Sequence, residues 1–450
     1  MPGSIVLNLR GGARICVPRR LDWITPYVLL EQEDWFEDEI GLVRELLRPG
    51  ERAVDIGANF GVYTLALARA VAPGPVWALE PAPATAEYLE RSLSLGGLPG
   101  AVALRLAASD RDGSARFSAR DQPELSAIAA AGDAGALEVR AASLDRLAAE
   151  LAWDEIDFVK IDVEGHEPEV VAGGRGFFAA RSPLVMLEIS PGQGKDLRAV
   201  ERLASLGYRC YRAVPGLGVL APVGAGEPLD EFQLNLFCCK PDRARRLARA
   251  GRLVSEASAP PDSLAAPRGA LACFRDAQDP ARGADARYWL LQRALQCAEE
   301  EFDSDLALPG LMTYARIARD LGQRMAAFRA CQHAGALVEP QWRAARAGEF
   351  LAPEPRFDAV PMEGDPRAWL ECMLGEARLG LGVFSSFFAG TAQLGALEAL
   401  QDNPFKSPLT VRRRQLVRMR AGLQQRPEPH PLLAEPSALN LNPGFWRGDA

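Results

Sequence analysis

Val54-Asp55-Ile56-Gly57-Ala58-Asn59-Phe60-Gly61-Val62-Tyr63-Thr64 reads as a buried strand ending in an acid, a glycine turn and the start of a helix. Residues 52–56 form a short, mostly apolar run, and residues 62–71 are apolar enough for a helix packed on a sheet. Gly57 and Gly61 allow a tight turn and let a ligand approach the backbone without Cβ interference. A turn that opens a helix also offers N–H groups to an anion. This is the place for a nucleotide-like cofactor.

The turn's chemistry narrows which one. Dinucleotide binders need a central glycine so that a pyrophosphate can approach. Here Asn59 stands in that place, and Asp55 on the strand end repels a pyrophosphate. S-adenosylmethionine, with a sulfonium and an ammonium group, fits a turn of Asp55, Gly57, Asn59 and Gly61 better. Glu80 ends the following strand, within Trp77-Ala78-Leu79-Glu80-Pro81, and an acid there accepts the hydroxyls of a ribose. Ser109 and Asp110 close the third strand, where the adenine is expected, although Asp-Arg-Asp-Gly is also ordinary turn chemistry.

Working outward, residues 1–242 alternate strand and helix patterns, as a parallel α/β sheet does. Strands are expected over 54–56, 76–79, 102–106, 157–162 and 184–189, and 208–212 with 232–239 form a closing pair. The stretch 122–135, rich in Ala, Gly and Asp, reads as a mobile loop over the sheet. Residues 243–285 read as a helix and a linker around Pro260-Pro261, residues 286–426 as an all-helical domain, and 427–450 as an irregular tail. Helices are expected over 288–302, 311–321, 324–337, 368–387, 390–400 and 409–420. One helical hairpin there resembles a tetratricopeptide unit, but no fixed-period repeat accompanies it.

Leu30-Glu31-Gln32-Glu33-Asp34-Trp35, the opening run, Ala78 to Pro81, and Val159-Lys160-Ile161-Asp162-Val163-Glu164-Gly165-His166-Glu167 occur together in order. On these motifs residues 25–242 resemble the FkbM family of methyltransferases. The resemblance implies a class I, Rossmann-like α/β fold, mostly parallel with an antiparallel closing strand. It also implies S-adenosylmethionine as methyl donor and, usually, a hydroxyl oxygen as acceptor, on sugars, polyketides or peptide-derived products. It covers nothing in residues 285–450.

Methyl transfer is an in-line displacement assisted by a base that takes the acceptor's proton. Asp162, Glu164 and His166 follow a strand expected to neighbour the cofactor strand, and are the candidate catalytic residues. Asp162 and Glu164 suit orientation or proton removal, and His166 titrates nearest neutrality. Glu164 and Glu167 also suit capping of the helix that begins near Pro168. Glu188, on the adjacent strand end, forms with Asp162 a candidate pair for a magnesium-like ion, but a hydrogen-bonded acid is the commoner arrangement and no metal is assigned. Lys160 is expected to pair with an acid from a neighbouring element.

A net charge of −8 argues against a general nucleic-acid binder. Arg412, Arg413, Arg414, Arg418 and Arg420 are spaced around a helix and read as a solvated surface, with an acidic-partner or phosphate site as the sharper alternative. The cysteines include no C-x-x-C pair, and Cys238-Cys239 reads as buried packing. No run approaches a membrane span and the first twenty residues lack a signal profile, so a cytoplasmic location is expected. Partners are expected to be a small-molecule or glycan acceptor and no nucleic acid. The helical domain stands open to three roles: a cover over the cofactor mouth, a surface for a protein partner, or a homodimer interface. Two competing functions remain: an NAD-dependent oxidoreductase, disfavoured by Asn59, and a partner-binding protein with a ligand-sensing α/β domain.

Overall fold

The computed structural model describes residues 3–448 except 119, 121, 129–135, 190–193, 225, 261–268 and 302–306. Its centre is an eight-stranded sheet of β1 (Ala53–Ile56), β2 (Val76–Leu79), β3 (Ala101–Leu104), β4 (Phe158–Ile161), β5 (Leu184–Glu188), β6 (Arg209–Val214), β7 (Val219–Pro222) and β8 (Asn235–Cys239). The spatial order is β7-β6-β8-β5-β4-β1-β2-β3. The five strands from β5 to β3 are parallel, whereas β8 runs antiparallel to both β5 and β6. This is the α/β architecture expected, with its antiparallel closing strand. Part of the 122–135 stretch lies outside the described residues; within it, Pro123–Leu125 is a 3-10 turn and Ala127–Ile128 a short strand.

The central strands β1, β4, β5 and β8 are buried on both faces, and their alternation divides the core in two. Val54, Ile56, Val159 and Ile161 pack on one side. Ala53 and Phe158 join helix Val62–Val71 and helix Ile24–Gln32 on the other. The connection reverses direction at β1 and β4, which pair in register with Ile56 beside Ile161. In open α/β sheets such a reversal leaves a crevice beyond the carboxyl ends of the strands.

The helices after residue 270 form a third core, and that core includes Val214, Val219 and Ala221 of the sheet. The irregular tail carries two short helices and buries Phe445 and Trp446 against the first core. The expected single helix over 368–387 is two: Pro366–Gly382 and Ser386–Ala389. The break at Val383, Phe384 and Ser385 follows a helix end whose Gly380, Leu381 and Val383 carbonyls all accept hydrogen bonds from Arg324. A cation on helix-terminal carbonyls satisfies groups that otherwise lack partners.

The arginine-rich helix Pro408–Arg420 does not present the solvated face expected. Arg412 and Arg413 are 1% and 5% exposed. Arg413 Nε donates to Glu31 Oε1 at 2.9 Å, and Arg412 Nε donates to the Glu31 carbonyl at 2.7 Å. Arg414 and Arg418 share Glu398, and Arg420 lies 3.8 Å from the Phe387 ring centroid. These arginines therefore join the chain's own elements. Among the described residues, no single helix is long and apolar enough to cross a membrane.

Candidate functional site

A cavity of about 360 Å³ opens at the β1–β4 reversal. Of the residues singled out from sequence, Gly57, Asn59, Glu80, Asp162, Glu164 and His166 line it. Asp55, Gly61, Ser109 and Asp110 are not part of its lining.

The glycine turn is built for the protein's own packing. A Cβ on Gly57 would lie 1.7 Å from the Asp162 carbonyl oxygen, and one on Gly61 would lie 2.5 Å from Leu89 Cδ1. Both residues also have positive φ. The expectation that the turn offers free N–H groups to an anion is not met. The N–H groups of Gly57 and Ala58 donate to the Leu79 carbonyl and that of Gly61 to the Ala58 carbonyl. Asn59 N donates to Glu80 Oε2 at 2.9 Å, and Phe60 N to Asn59 Oδ1 at 2.8 Å. All five donors from Gly57 to Gly61 are thus consumed, which favours a cationic ligand over a phosphate.

Glu80 is the acid that reaches the cavity from this half. Its second oxygen accepts from Ala82 N at 2.8 Å, so the carboxyl is held between two backbone donors. Burial nevertheless pushes it up to about 7. Asp55 is fully buried, with Oδ2 accepting from Thr64 Oγ1 at 2.6 Å and Oδ1 unpartnered. Its field is spent on Lys160, its register partner on β4.

Lys160 faces acids of neighbouring elements, as expected, but its direct ion pair is with Asp162, two residues along its own chain. Residues two apart on a strand share a face, and Lys160 Nζ donates to Asp162 Oδ2 at 2.6 Å. The ammonium also sits 4.7 Å from the Tyr63 ring centroid. Asp55, Asp162 and Glu37 surround it and raise its pKa in spite of burial. The opposite wall of the cavity is acidic: one carboxylate oxygen from each of Asp162, Glu164 and Glu188 lies within 4.8 Å of the others. Burial works against the charge of Asp162, but Lys160 and a hydrogen bond with Glu188 hold its carboxyl below the usual range. Glu188 is driven well up by burial and by Asp162. Glu164 is pushed to about 8, by burial and then by Asp162 and Glu167. Close carboxylates cannot all ionise, so the group retains protons at neutral pH.

The loop after β4 places these groups. Glu164 has a φ of 54° and Gly165 one of 94°, both left-handed. Glu167 Oε1 closes the turn by accepting from Val163 N and Gly165 N, so it ties the loop before the helix rather than capping the helix itself, which has no side-chain cap. His166 Nε2 is 3.0 Å from Ser109 Oγ, and Nδ1 is 3.7 Å from Glu169. Both ring nitrogens therefore face protein partners, and burial lowers the ring's pKa. Ser109 and Asp110 stand behind the wall, Ser109 Oγ being 3.2 Å from Asp110 Oδ1. The lining before them is apolar instead, from Leu106, Ala107, Ala108 and Phe117.

Several lining residues escaped the sequence reading. Glu37 accepts from Tyr63 Oη at 2.6 Å, Trp35 Nε1 at 2.9 Å and Asn235 Nδ2 at 2.9 Å, and is nearly buried. It follows the Leu30–Trp35 motif by two residues, a signal that was available. Phe384 and Phe388 enter from the helical region, Phe384 from the break between helices Pro366–Gly382 and Ser386–Ala389 and Phe388 from the second of them, where no local pattern marks them. They meet Phe36 with ring centroids 5.2 and 5.8 Å away, Phe384 tilted and Phe388 edge-on. The helical region thus supplies part of the cavity wall.

Residues 55–210 match the model of the methyltransferase FkbM domain. No curated protein matches the chain significantly. Among solved structures, a SAM-dependent O-methyltransferase from Thermotoga maritima is 17% identical, over 53% of this chain and 78% of that one, with a TM-score of 0.28. A precorrin-6y C5,15-methyltransferase from Geobacter metallireducens is 14% identical, over 45% of this chain and 88% of that one, with a TM-score of 0.26. M. jannaschii TYW2 in complex with AdoMet is 15% identical, over 53% and 85%, with a TM-score of 0.28.

Proposed function

Taking residues 55–210 as an S-adenosylmethionine-dependent methyltransferase domain of FkbM type, we propose that the chain methylates a hydroxyl oxygen of a sugar, glycan or natural-product acceptor. The observation that carries this reading is the cluster of Asp162, Glu164 and Glu188 at the β1–β4 reversal, in a cavity that Glu80 also lines.

The residues present fit that cofactor. Glu80 offers a carboxyl where a ribose would lie, Leu106 to Ala108 with Phe117 offer an apolar slot for a base, and the acidic wall favours a positive sulfur. When bound, S-adenosylmethionine supplies an electrophilic methyl group. The chain's own work is to hold the acceptor in line and take its proton. Asp162, kept ionised by Lys160, accepts the acceptor's hydroxyl hydrogen bond and then the proton. Glu188 stabilises the charge of Asp162 through their hydrogen bond. Glu164 orients the acceptor from the left-handed turn. His166, held between Ser109 and Glu169, positions the β4 loop rather than acting as the base.

The test is calorimetry with S-adenosylhomocysteine, followed by turnover of a labelled methyl donor on a panel of glycans, polyketides and peptides. Binding to the wild type and loss of turnover by about 10²–10⁴ in Asp162→Asn, with binding retained, support the proposal. No binding by the folded wild type overturns it.

A further inference from the structure

A second cavity, of about 490 Å³, lies between the sheet domain and the helical region. It shares Trp35, Phe36, Glu37, Leu234 and Phe384 with the first, so the two adjoin along this wall. From the helical region Arg319, Arg324, Arg356, Arg412 and Arg413 line it. Four of these have carboxylate partners: Arg319 with Glu354 at 2.8 Å, Arg356 with Glu376 at 2.5 Å, Arg412 with Glu33 at 3.5 Å and Arg413 with Glu31 at 2.9 Å.

Arg324 differs. Its guanidinium lies over the rings of Phe384 and Phe232, 4.4 and 5.0 Å from their centroids. Nε and Nη2 donate only to carbonyl oxygens, and among the described residues no carboxylate comes within 4.0 Å. Burial, with Arg319 and Arg413 nearby, lowers it to about 10 against the pull of Asp38 and Asp230. Asp230 is already engaged, accepting from Met325 N at 3.0 Å. Across the cavity Asp34 is bound by Arg44 through two contacts of 2.7 Å, and Glu37 is taken by three neutral donors. Glu39 is pushed up to about 8, first by burial and then by Glu37 and Asp38. Asp38 remains, beyond ion-pair distance. A guanidinium held on aromatic faces, with only Nη1 left to donate among the described residues, is suited to a charge-assisted hydrogen bond to an anion.

We propose that this cavity receives an anionic group of the acceptor, a carboxylate or a phosphate, with Arg324 as its anchor, while the acceptor's hydroxyl reaches the first cavity past Phe384. The assignment to the acceptor rests on the methyl-transfer reading above; the anion site itself does not. It names the substrate class as an acidic or phosphorylated hydroxyl compound, such as a uronic acid or a sugar phosphate.

The full-length protein, with and without S-adenosylhomocysteine, is titrated with glucuronate, glucose 1-phosphate and glucose. Either anion should bind at least tenfold more tightly than glucose, and which one does so separates carboxylate from phosphate recognition. Arg324→Gln should weaken that anion at least tenfold and leave S-adenosylhomocysteine affinity unchanged. Gly380→Asp provides a second variant should loss of the carbonyl contacts unfold the first. Gly380 lines the cavity and its Cβ would meet nothing within 4 Å, so the new carboxylate is accommodated beside Arg324 and should block the anion. Equal binding of glucose, or full anion binding by Gly380→Asp, overturns the proposal. Failure of S-adenosylhomocysteine to bind while the anion still does overturns only the methyl-transfer reading.

Discussion

Glu31 and Arg413 form an ion pair at 2.9 Å whose side chains are 0% and 6% exposed, joining residues 382 positions apart in the chain. Glu31 Oε2 also accepts from the hydroxyls of Ser385 and Ser386 and from Ser386 N at 3.0 Å. One carboxylate in the helix Ile24–Gln32 thereby fixes both the arginine helix and the segment that follows Phe384. Arg413→Ala leaves that carboxylate buried without its cation, and should cost about 3–5 kcal/mol. Glu31→Gln with Arg413→Met should recover part of the loss. Urea unfolding of the single and double variants measures both, with equal losses in all three arguing against the pairing.

Lys160 governs the ionisation of the site from beneath. It contacts Asp162 at 2.6 Å and stands in register with Asp55. Its replacement in Lys160→Met removes the charge that holds Asp162 low, so the Asp162 carboxyl rises. The acid limb of the kcat/KM profile, where that carboxyl must be ionised, should move to higher pH, with activity falling more than tenfold at neutrality. An unchanged acid limb would place the base elsewhere.

Most of the sheet was legible because buried strands carry continuous apolar runs between turn residues, and Asp162 and Glu80 directly follow strand ends, with Asn59 in the turn after another, where chemistry collects. The glycines were read correctly as a tight turn but for the wrong neighbour. Only tertiary structure brings the Asp162 carbonyl to Gly57. Arg412 and Arg413 looked solvated because arginines usually are, and their partners Glu31 and Glu33 lie far away along the chain. Phe384 and Phe388 were hidden within an apparently continuous helical pattern, whose interruption depends on Arg324 binding the helix-terminal carbonyls.

If Glu80 meets the ribose, cofactor binding is proton-linked. Burial holds its carboxyl at about 7 in the folded chain, against the ordinary glutamate value of 4.5. Between those values the folded state keeps a proton that the unfolded chain has released. The contribution to stability is thus full below pH 4.5 and lost as pH rises through about 7, on the order of 3 kcal/mol. Ribose hydroxyls donate to the ionised form, so binding of S-adenosylhomocysteine at pH 6 should release close to one proton, and affinity should increase with pH up to about 7. Calorimetry in buffers of different ionisation enthalpy counts that proton. Buffer-independent heats would show that Glu80 does not meet the ribose.

Glu164 separates stability from function at a single position. Its φ of 54° is left-handed for a side-chain-bearing residue, a conformation costing on the order of 1 kcal/mol. Burial, then Asp162 and Glu167, drive its carboxyl to about 8, and it also stands within the acidic group of Asp162 and Glu188. Glu164→Gly relieves the backbone and removes the crowding charge. The folded state should gain stability, most at pH values above 8 where the carboxylate would otherwise ionise against its neighbours. If the carboxyl orients the acceptor, the same variant loses turnover while cofactor affinity is kept. Thermal unfolding at pH 6 and pH 9, alongside turnover with a labelled methyl donor, reads both effects. Higher stability with undiminished turnover would remove Glu164 from the site and leave Asp162 with Glu188 as the acid pair that faces the acceptor.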